Sequence, residues 1–162
     1  MPEMDLLTTI FSHHMWSNLR MLEAVAQLTP EQQQATMPGA FGSIYVTMQH
    51  IVTSERSYFS RVSTGQPIIR SKDLPPMTIA EMEEALRASG TGILEWIHKV
   101  QPGDRVEVNW DGVIRHVHKT FILTQIINHA NEHREQIRAI MTGLGIEPPA
   151  VQGWDYFDAL YM

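Results

Sequence analysis

The chain of 162 residues contains no cysteine. This absence excludes disulfide bonds, thiolate metal ligands and a cysteine nucleophile, so any metal must be held by nitrogen and oxygen ligands. Positive charge is also scarce, because 12 lysine and arginine residues stand against 18 acidic residues and give a net charge of −6. Without a basic cluster, nucleic-acid binding is not expected, since it depends on neutralising phosphates.

Long apolar segments and a targeting signal are missing as well. No apolar run approaches membrane-spanning length, and the first residues are acidic where a targeting sequence would be basic. We therefore expect a cytoplasmic protein with no membrane contact. The length predicts a single domain, residues 1–162, that is large enough to bury a core of its own.

Apolar residues at spacings of three and four predict four long helices. These helices run from about Asp5 to Leu28, Ser43 to Thr64, Thr78 to Val100 and Thr120 to Thr142. Before the last helix, residues 105–117 change to a period of two around Asp111 and Gly112, which predicts a short β-hairpin. Residues 65–77 are predicted to be irregular. The fold class is all-α, a four-helix bundle with a short β-hairpin before the fourth helix.

The tail from Pro148 to Met162 is rich in aromatic residues, which are Trp154, Tyr156, Phe157 and Tyr161. So many aromatic side chains near a terminus are expected to pack on the body of the protein or on a second subunit. The second arrangement would make the protein a homodimer.

The most informative pair of residues is His129 and His133, in the last predicted helix. Residues four apart leave a helix on the same face, which suits two adjacent coordination positions of a transition metal. His133 also interrupts an otherwise apolar seam, so its ring needs a polar partner. A hydrogen-bonded core histidine explains His133 alone, whereas the pair favours a metal.

A third ligand must come from another helix. His50 borders the apolar stripe of the second predicted helix and is the best candidate, although a hydrogen-bonded boundary histidine has the same spacing. His14 is a candidate fourth ligand or proton carrier. Glu55 interrupts a stripe and should meet an arginine or histidine, with Arg20 or a metal-ligating ring as possible partners. Glu132 lies beside the histidine pair, where it is either a flanking base or an exposed carboxylate.

Three segments of the chain resemble the DinB/YfiT-like superfamily, whose members are regarded as metalloenzymes. The segments are Trp16 and Asn18 in the first helix, Gly42-Ser43-Ile44 with His50 and Ser54-Glu55 in the second, and Asn128-His129 with His133-Arg134 and Gln136-Ile137 in the fourth. Their order and spacing extend over nearly the whole chain. The resemblance implies a four-helix bundle with one divalent metal, commonly zinc or nickel, on His50, His129 and His133.

The chain departs from the superfamily pattern beside the second histidine of the pair. Where relatives often have His-His-Arg-Gly, this chain has Glu132, His133, Arg134 and Glu135. The three ligand positions are unaffected. Glu135 places a charged side chain where glycine would allow a second subunit to approach closely.

Characterised relatives include transferases that use a low-molecular-weight thiol, such as bacillithiol or mycothiol, and a thiol-dependent isomerase. The resemblance therefore implies a metal-dependent thiol S-transferase, with a small-molecule thiol and an electrophile as its partners. One alternative is a hydrolase that uses a metal-bound water, for which Glu132 should face inward. Another is a non-catalytic metal-binding dimer, which a closed site with four protein ligands would favour.

Overall fold

A computed structural model describes residues 4–69 and 75–162, in which the chain is mostly helical with one β-hairpin. The elements are α1 Leu6–Ala26, α2 Pro30–Gln33, α3 Ile44–Thr64, α4 Ile79–Trp96, β1 Arg105–Trp110, β2 Val113–His118, α5 Lys119–Gly143 and α6 Gly153–Tyr161. The predicted hairpin before the last long helix is confirmed. Of the segment predicted to be irregular, residues 70–74 lie outside the described residues, and the described remainder carries neither helix nor strand.

Side-chain caps explain where the long helices begin. Asp5 and Ser43 accept hydrogen bonds from backbone N–H groups in the first turns of α1 and α3. Thr78 and Glu81 form a complete capping box at α4. At the other end of α3, Gly65 adopts a left-handed φ of 81° that ends the helix.

One predicted helix end was wrong, and one helix was not predicted. Helix α4 ends at Trp96 rather than near Val100, and its chain continues as turns. The aromatic tail contains a helix, α6, that the sequence did not predict. Its start is marked by Asp155, whose carboxylate accepts from the backbone N–H of Gln152 at 2.7 Å, but glutamine is not a usual N-cap residue.

The hairpin pairs β1 and β2 in antiparallel register, from Arg105 opposite His118 to Trp110 opposite Val113. Its two turn residues, Asp111 and Gly112, have φ values of 51° and 84°, as a tight two-residue hairpin turn requires. One face of β1 is buried against the helices, so the hairpin forms one wall beside α5.

Helix α3 packs against both α4 and α5, and α1 packs against α4 and α5. Two apolar clusters fill the interior. The first includes Met21, Met48, Ile51, Leu86 and Ile137, and the second includes Phe11, Val62, Ile93, Val108 and Ile126. Among the described residues, no helix is both long enough and apolar enough to cross a membrane.

Buried polar residues lie between the two apolar clusters along α1, α3 and α4. We call the set formed by His14, Asn18, Glu55, Ser89 and Arg134 the polar layer. Arg134 joins it from α5. All four long helices therefore contribute a buried polar side chain to one layer, and α3 and α5 also carry the three candidate metal ligands.

Candidate metal centre

Three histidines converge where α3 packs against α5. His50 comes from α3, and His129 and His133 come from α5; one ring nitrogen from each lies within 4.8 Å of the others. The Nε2 atoms of His50 and His129 are 3.0 Å apart. In a tetrahedral site with metal–nitrogen bonds of about 2.0–2.1 Å, neighbouring nitrogens are about 3.3 Å apart. The structure thus brings together the three histidines that the sequence singled out, at a spacing that a metal ion fits.

The three rings are inclined to one another rather than stacked. Their centroids are 4.5–4.8 Å apart, and the angles between ring planes are 57° for His50 and His129, 74° for His129 and His133, and 87° for His50 and His133. Lone pairs lie in the planes of the rings, so rings stacked face to face could not aim at one point. Inclined rings can direct three nitrogens toward a shared ion.

Burial favours the neutral form of His50 and His129. Desolvation lowers the pKa of His129 to about 4, helped by repulsion from the protonated forms of His133 and His50. Desolvation, and then His133, also lowers the pKa of His50. Both rings therefore offer lone pairs at neutral pH. Within the described ranges no carboxylate joins the cluster, and an all-imidazole donor set suits zinc, nickel, copper or iron.

His133 is oriented by a side chain of its own helix. Gln136 Oε1 accepts the backbone N–H of Phe41 at 3.2 Å and lies 2.9 Å from His133 Nδ1. Because that amide oxygen can only accept, Nδ1 must carry the proton. The Nε2 atom of His133 is then left with a free lone pair that could bind a metal, an arrangement typical of metal-ligating histidines.

Two aromatic rings flank the cluster. Phe41 stacks on His50 with centroids 4.0 Å apart and meets the ring of His133 edge-on at 5.2 Å. Tyr58 meets His129 edge-on at 5.6 Å. Sequence reasoning missed both roles, because Phe41 lies in a loop and Tyr58 has the spacing of the apolar stripe of the second predicted helix.

His14 lies in the polar layer instead of the histidine cluster. Its Nε2 atom is 2.8 Å from Glu55 Oε2, so its interpretation as a fourth ligand is not supported. The prediction that Glu55 meets a histidine is confirmed. Arg20 is not its partner, because Arg20 forms an exposed ion pair with Glu23 at 2.8 Å.

Glu132 is exposed on α5. The inward position that a flanking base would require is therefore not observed. Glu135 is exposed too and lies 3.3 Å from Arg138 in an ion pair on the same helix.

The polar layer gives Glu55 a donor at each carboxylate oxygen. Asn18 donates to Oε2 at 2.8 Å, the same oxygen that His14 contacts, and Ser89 donates to Oε1. Arg134 in turn donates to Oδ1 of Asn18. One buried carboxylate thereby connects α1, α3 and α4, and the asparagine extends the connection to α5.

Arg134 follows His133 directly in α5 and is buried. Burial lowers its pKa to about 10, against the opposing effect of Glu55 and Glu135, so the guanidinium stays charged at neutral pH. It also donates to Asn131 Oδ1. The segment of α5 that carries His133 is thus anchored to the polar layer.

Comparison with known proteins gives one result at the level of the family. A model of the DinB family matches residues 1–160. No curated protein matches the chain.

Proposed function

The chain belongs to the DinB family, and on that premise we propose that it is a thiol-dependent S-transferase whose His50, His129 and His133 hold one divalent metal ion. The observation that carries this proposal is the convergence of three ring nitrogens within 4.8 Å without a carboxylate. When bound, the ion supplies a Lewis acid that lowers the pKa of a thiol sulfur. Within this proposal the ion is zinc or nickel, the metals that the family resemblance implies, and both accept imidazole nitrogens.

Three protein ligands leave a coordination position open, as in catalytic rather than structural zinc sites. His50 and His129 are half-buried rather than enclosed. A small molecule can therefore reach the cluster. This supports a reactive site over a closed, purely structural one.

The surrounding residues have separable tasks in the proposed reaction. Gln136 fixes the tautomer and direction of His133, while Phe41 and Tyr58 exclude water from two sides of the cluster. The nucleophilic sulfur comes from the cosubstrate, because the chain has no cysteine. The second partner is an electrophile that accepts that sulfur.

The position of Glu132 does not support a hydrolase, because this side chain is exposed instead of facing the cluster.

The homodimer does have a supporting observation. Helix α6 packs on α1 through Tyr156, which contacts His13 and Trp16, but Trp154 on the same helix is 79% exposed. We therefore retain a homodimer through α6, to be checked by sedimentation; the same surface would serve a non-catalytic metal-binding dimer.

The remaining parts of the proposal concern the whole chain. We propose that α1, α3, α4 and α5 form a four-helix bundle within one domain, residues 1–162, and that the protein is cytoplasmic. Packing of α3 on α4 and α5, and of α1 on the same two helices, supports the bundle.

Elemental analysis of tag-free protein tests the metal. We expect about one ion per chain, lost in His50→Ala and in His133→Ala but retained in His98→Ala, whose histidine is exposed elsewhere on the surface. No metal in the parent protein, even after loading with zinc or nickel, would overturn the proposal.

The transferase reaction needs a second measurement. Thiols are screened with 1-chloro-2,4-dinitrobenzene, in which a carbon–sulfur bond forms while chloride and the thiol proton leave. We expect turnover that requires both the thiol and the bound metal, and that is absent in His133→Ala. Metal binding without turnover of any thiol would favour the non-catalytic alternative.

A further inference from the structure

A cavity of about 410 Å³ lies between α3, the hairpin and α5. Tyr58 lines it and also contacts the ring of His129 at 5.6 Å. Gln125, one turn before His129 on α5, lines it as well. The cavity therefore borders the histidine cluster.

The walls of this cavity are mainly apolar and aromatic. Val108 and Ile122 are buried within them, whereas Trp110 and Phe121 are 48% and 68% exposed and stand nearer the solvent. Small-molecule sites are typically lined by apolar and aromatic side chains with a few polar groups that fix orientation. The two exposed rings suit a flat aromatic body, which prefers offset or edge-on ring contacts.

The charge of the cavity is opposite to that of the chain. Arg61, one turn after Tyr58, lines the cavity, and its guanidinium forms no hydrogen bond or ion pair with any described residue. Arg115 places its guanidinium 4.9 Å from the centre of the Trp110 ring. The described lining contains no acidic residue, although the chain has a net charge of −6. An anion is the complementary ligand.

We propose that this cavity binds an organic carboxylate with a flat aromatic body. The carboxylate pairs with Arg61, the aromatic body lies against Trp110 and Phe121, and the end that reacts points toward His129. Arginine is well suited to this task, because its guanidinium binds a carboxylate through two parallel hydrogen bonds. This inference rests on the proposed function for its chemistry, where the ligand is the electrophile, but the binding itself requires no metal.

Calorimetric titration with 1-naphthoate tests the proposal, and 1-naphthamide serves as the uncharged ligand of the same shape. The metal-free protein is used first, because a carboxylate can also bind a metal directly. We expect naphthoate to bind at least tenfold more tightly than naphthamide, since a charge-assisted hydrogen bond typically contributes a factor of this size. Arg61→Gln should remove that preference, and Arg61→Lys should restore part of it.

A matched control is available on the same helix. Arg56 lines a separate groove between α3 and α4, so Arg56→Gln should bind naphthoate like the parent protein. Thermal unfolding of each variant shows whether the fold is kept.

Three results would overturn the inference: no binding to the parent protein, equal binding to Arg61→Gln, or a loss of binding in Trp154→Ala, which would place the ligand on α6. The cavity and the metal site can fail separately. If the protein takes up no metal but binds naphthoate through Arg61, the inference about the cavity stands and the proposed metal-dependent function fails. If the protein takes up metal but binds no naphthoate, only the inference about the cavity fails.

Discussion

The histidine cluster and the polar layer lie along the same helices, yet their hydrogen bonding differs. In the polar layer, both oxygens of Glu55 meet donors, and Asn18 and Arg134 extend the network. In the histidine cluster, His50 and His129 place two ring nitrogens 3.0 Å apart, with no carboxylate in the group. In the polar layer the buried carboxylate is satisfied by donors within the protein, whereas the histidine cluster contains basic nitrogens and no acidic side chain.

This difference separates a structural role from a binding role. Buried polar groups that satisfy one another stabilise a particular arrangement of helices, whereas basic nitrogens that face one another favour an added cation. The polar layer is not perfect, because Nδ1 of His14 is buried without a partner among the described residues. Substitutions in the two groups should therefore have different effects.

The largest effect is expected from Glu55→Ala. The substitution leaves buried donors of Asn18 and Ser89, and the ring of His14, without their carboxylate. Removing one partner from a buried charged network typically costs about 3–5 kcal/mol. We expect a loss of about 3 kcal/mol in the free energy of unfolding, measured with urea.

Glu132→Ala is the control for that experiment. It removes an exposed carboxylate, so its free energy of unfolding should stay within about 0.5 kcal/mol of the parent value. Similar values for the two variants would contradict the structural role of the polar layer.

His129→Ala should have little effect on the stability of the metal-free protein but should abolish its stabilisation by metal. The metal-free variant is expected to stay within about 1 kcal/mol of the parent, because the half-buried ring leaves no buried charge behind. Metal at about one hundred times its dissociation constant should stabilise the parent by about 2.7 kcal/mol, and the variant should lose that stabilisation. Thermal unfolding with and without zinc or nickel measures both quantities.

His98→Ala provides the comparison, since it removes an exposed histidine outside the cluster. It should retain the full metal-dependent stabilisation. If metal stabilised His129→Ala as strongly as the parent, the ion would bind elsewhere.

Local signals predicted much of the fold and the members of the histidine cluster. Capping residues such as Asp5 and Thr78 marked where helices begin, because a cap contacts only its own first turn. His129 and His133 share a face whatever the rest of the chain does. His50 was found because it borders an apolar stripe.

Contacts between distant parts of the chain could not be predicted in this way. Ser89 and His14 meet Glu55 across separations of 34 and 41 residues, and no periodicity within one helix encodes such pairs. Phe41 reaches the site from a loop that has no regular spacing. Gln136 was noticed within a motif, but its bond to His133 required the helix in three dimensions.

Gln136→Leu is expected to weaken metal binding at the histidine cluster without abolishing it. Without the amide oxygen, the proton of His133 Nδ1 and the backbone N–H of Phe41 lose their acceptor. Loss of such a supporting contact typically weakens metal binding by 10- to 100-fold. We expect about a tenfold weaker affinity in a competition titration with a chelator.

The neighbouring substitution Glu135→Ala is the control, because this side chain is exposed and pairs with Arg138 instead. It should leave the affinity unchanged. An unchanged affinity in Gln136→Leu would mean that His133 needs no such orientation.

The smallest effect is expected in the pH dependence of the metal-free protein. The pKa of His129 falls from an ordinary 6.5 to about 4 in the folded state. As the pH falls through this interval, the unfolded chain takes up a proton that the folded chain excludes, so stability decreases. Because the ring is half-buried, solvent screening should limit the loss to about 1 kcal/mol between pH 6.5 and 4. Urea unfolding measured across this pH range should show that the free energy of unfolding depends less on pH in His129→Asn than in the parent. An equal dependence in the two proteins would show that the histidine cluster does not exclude protons.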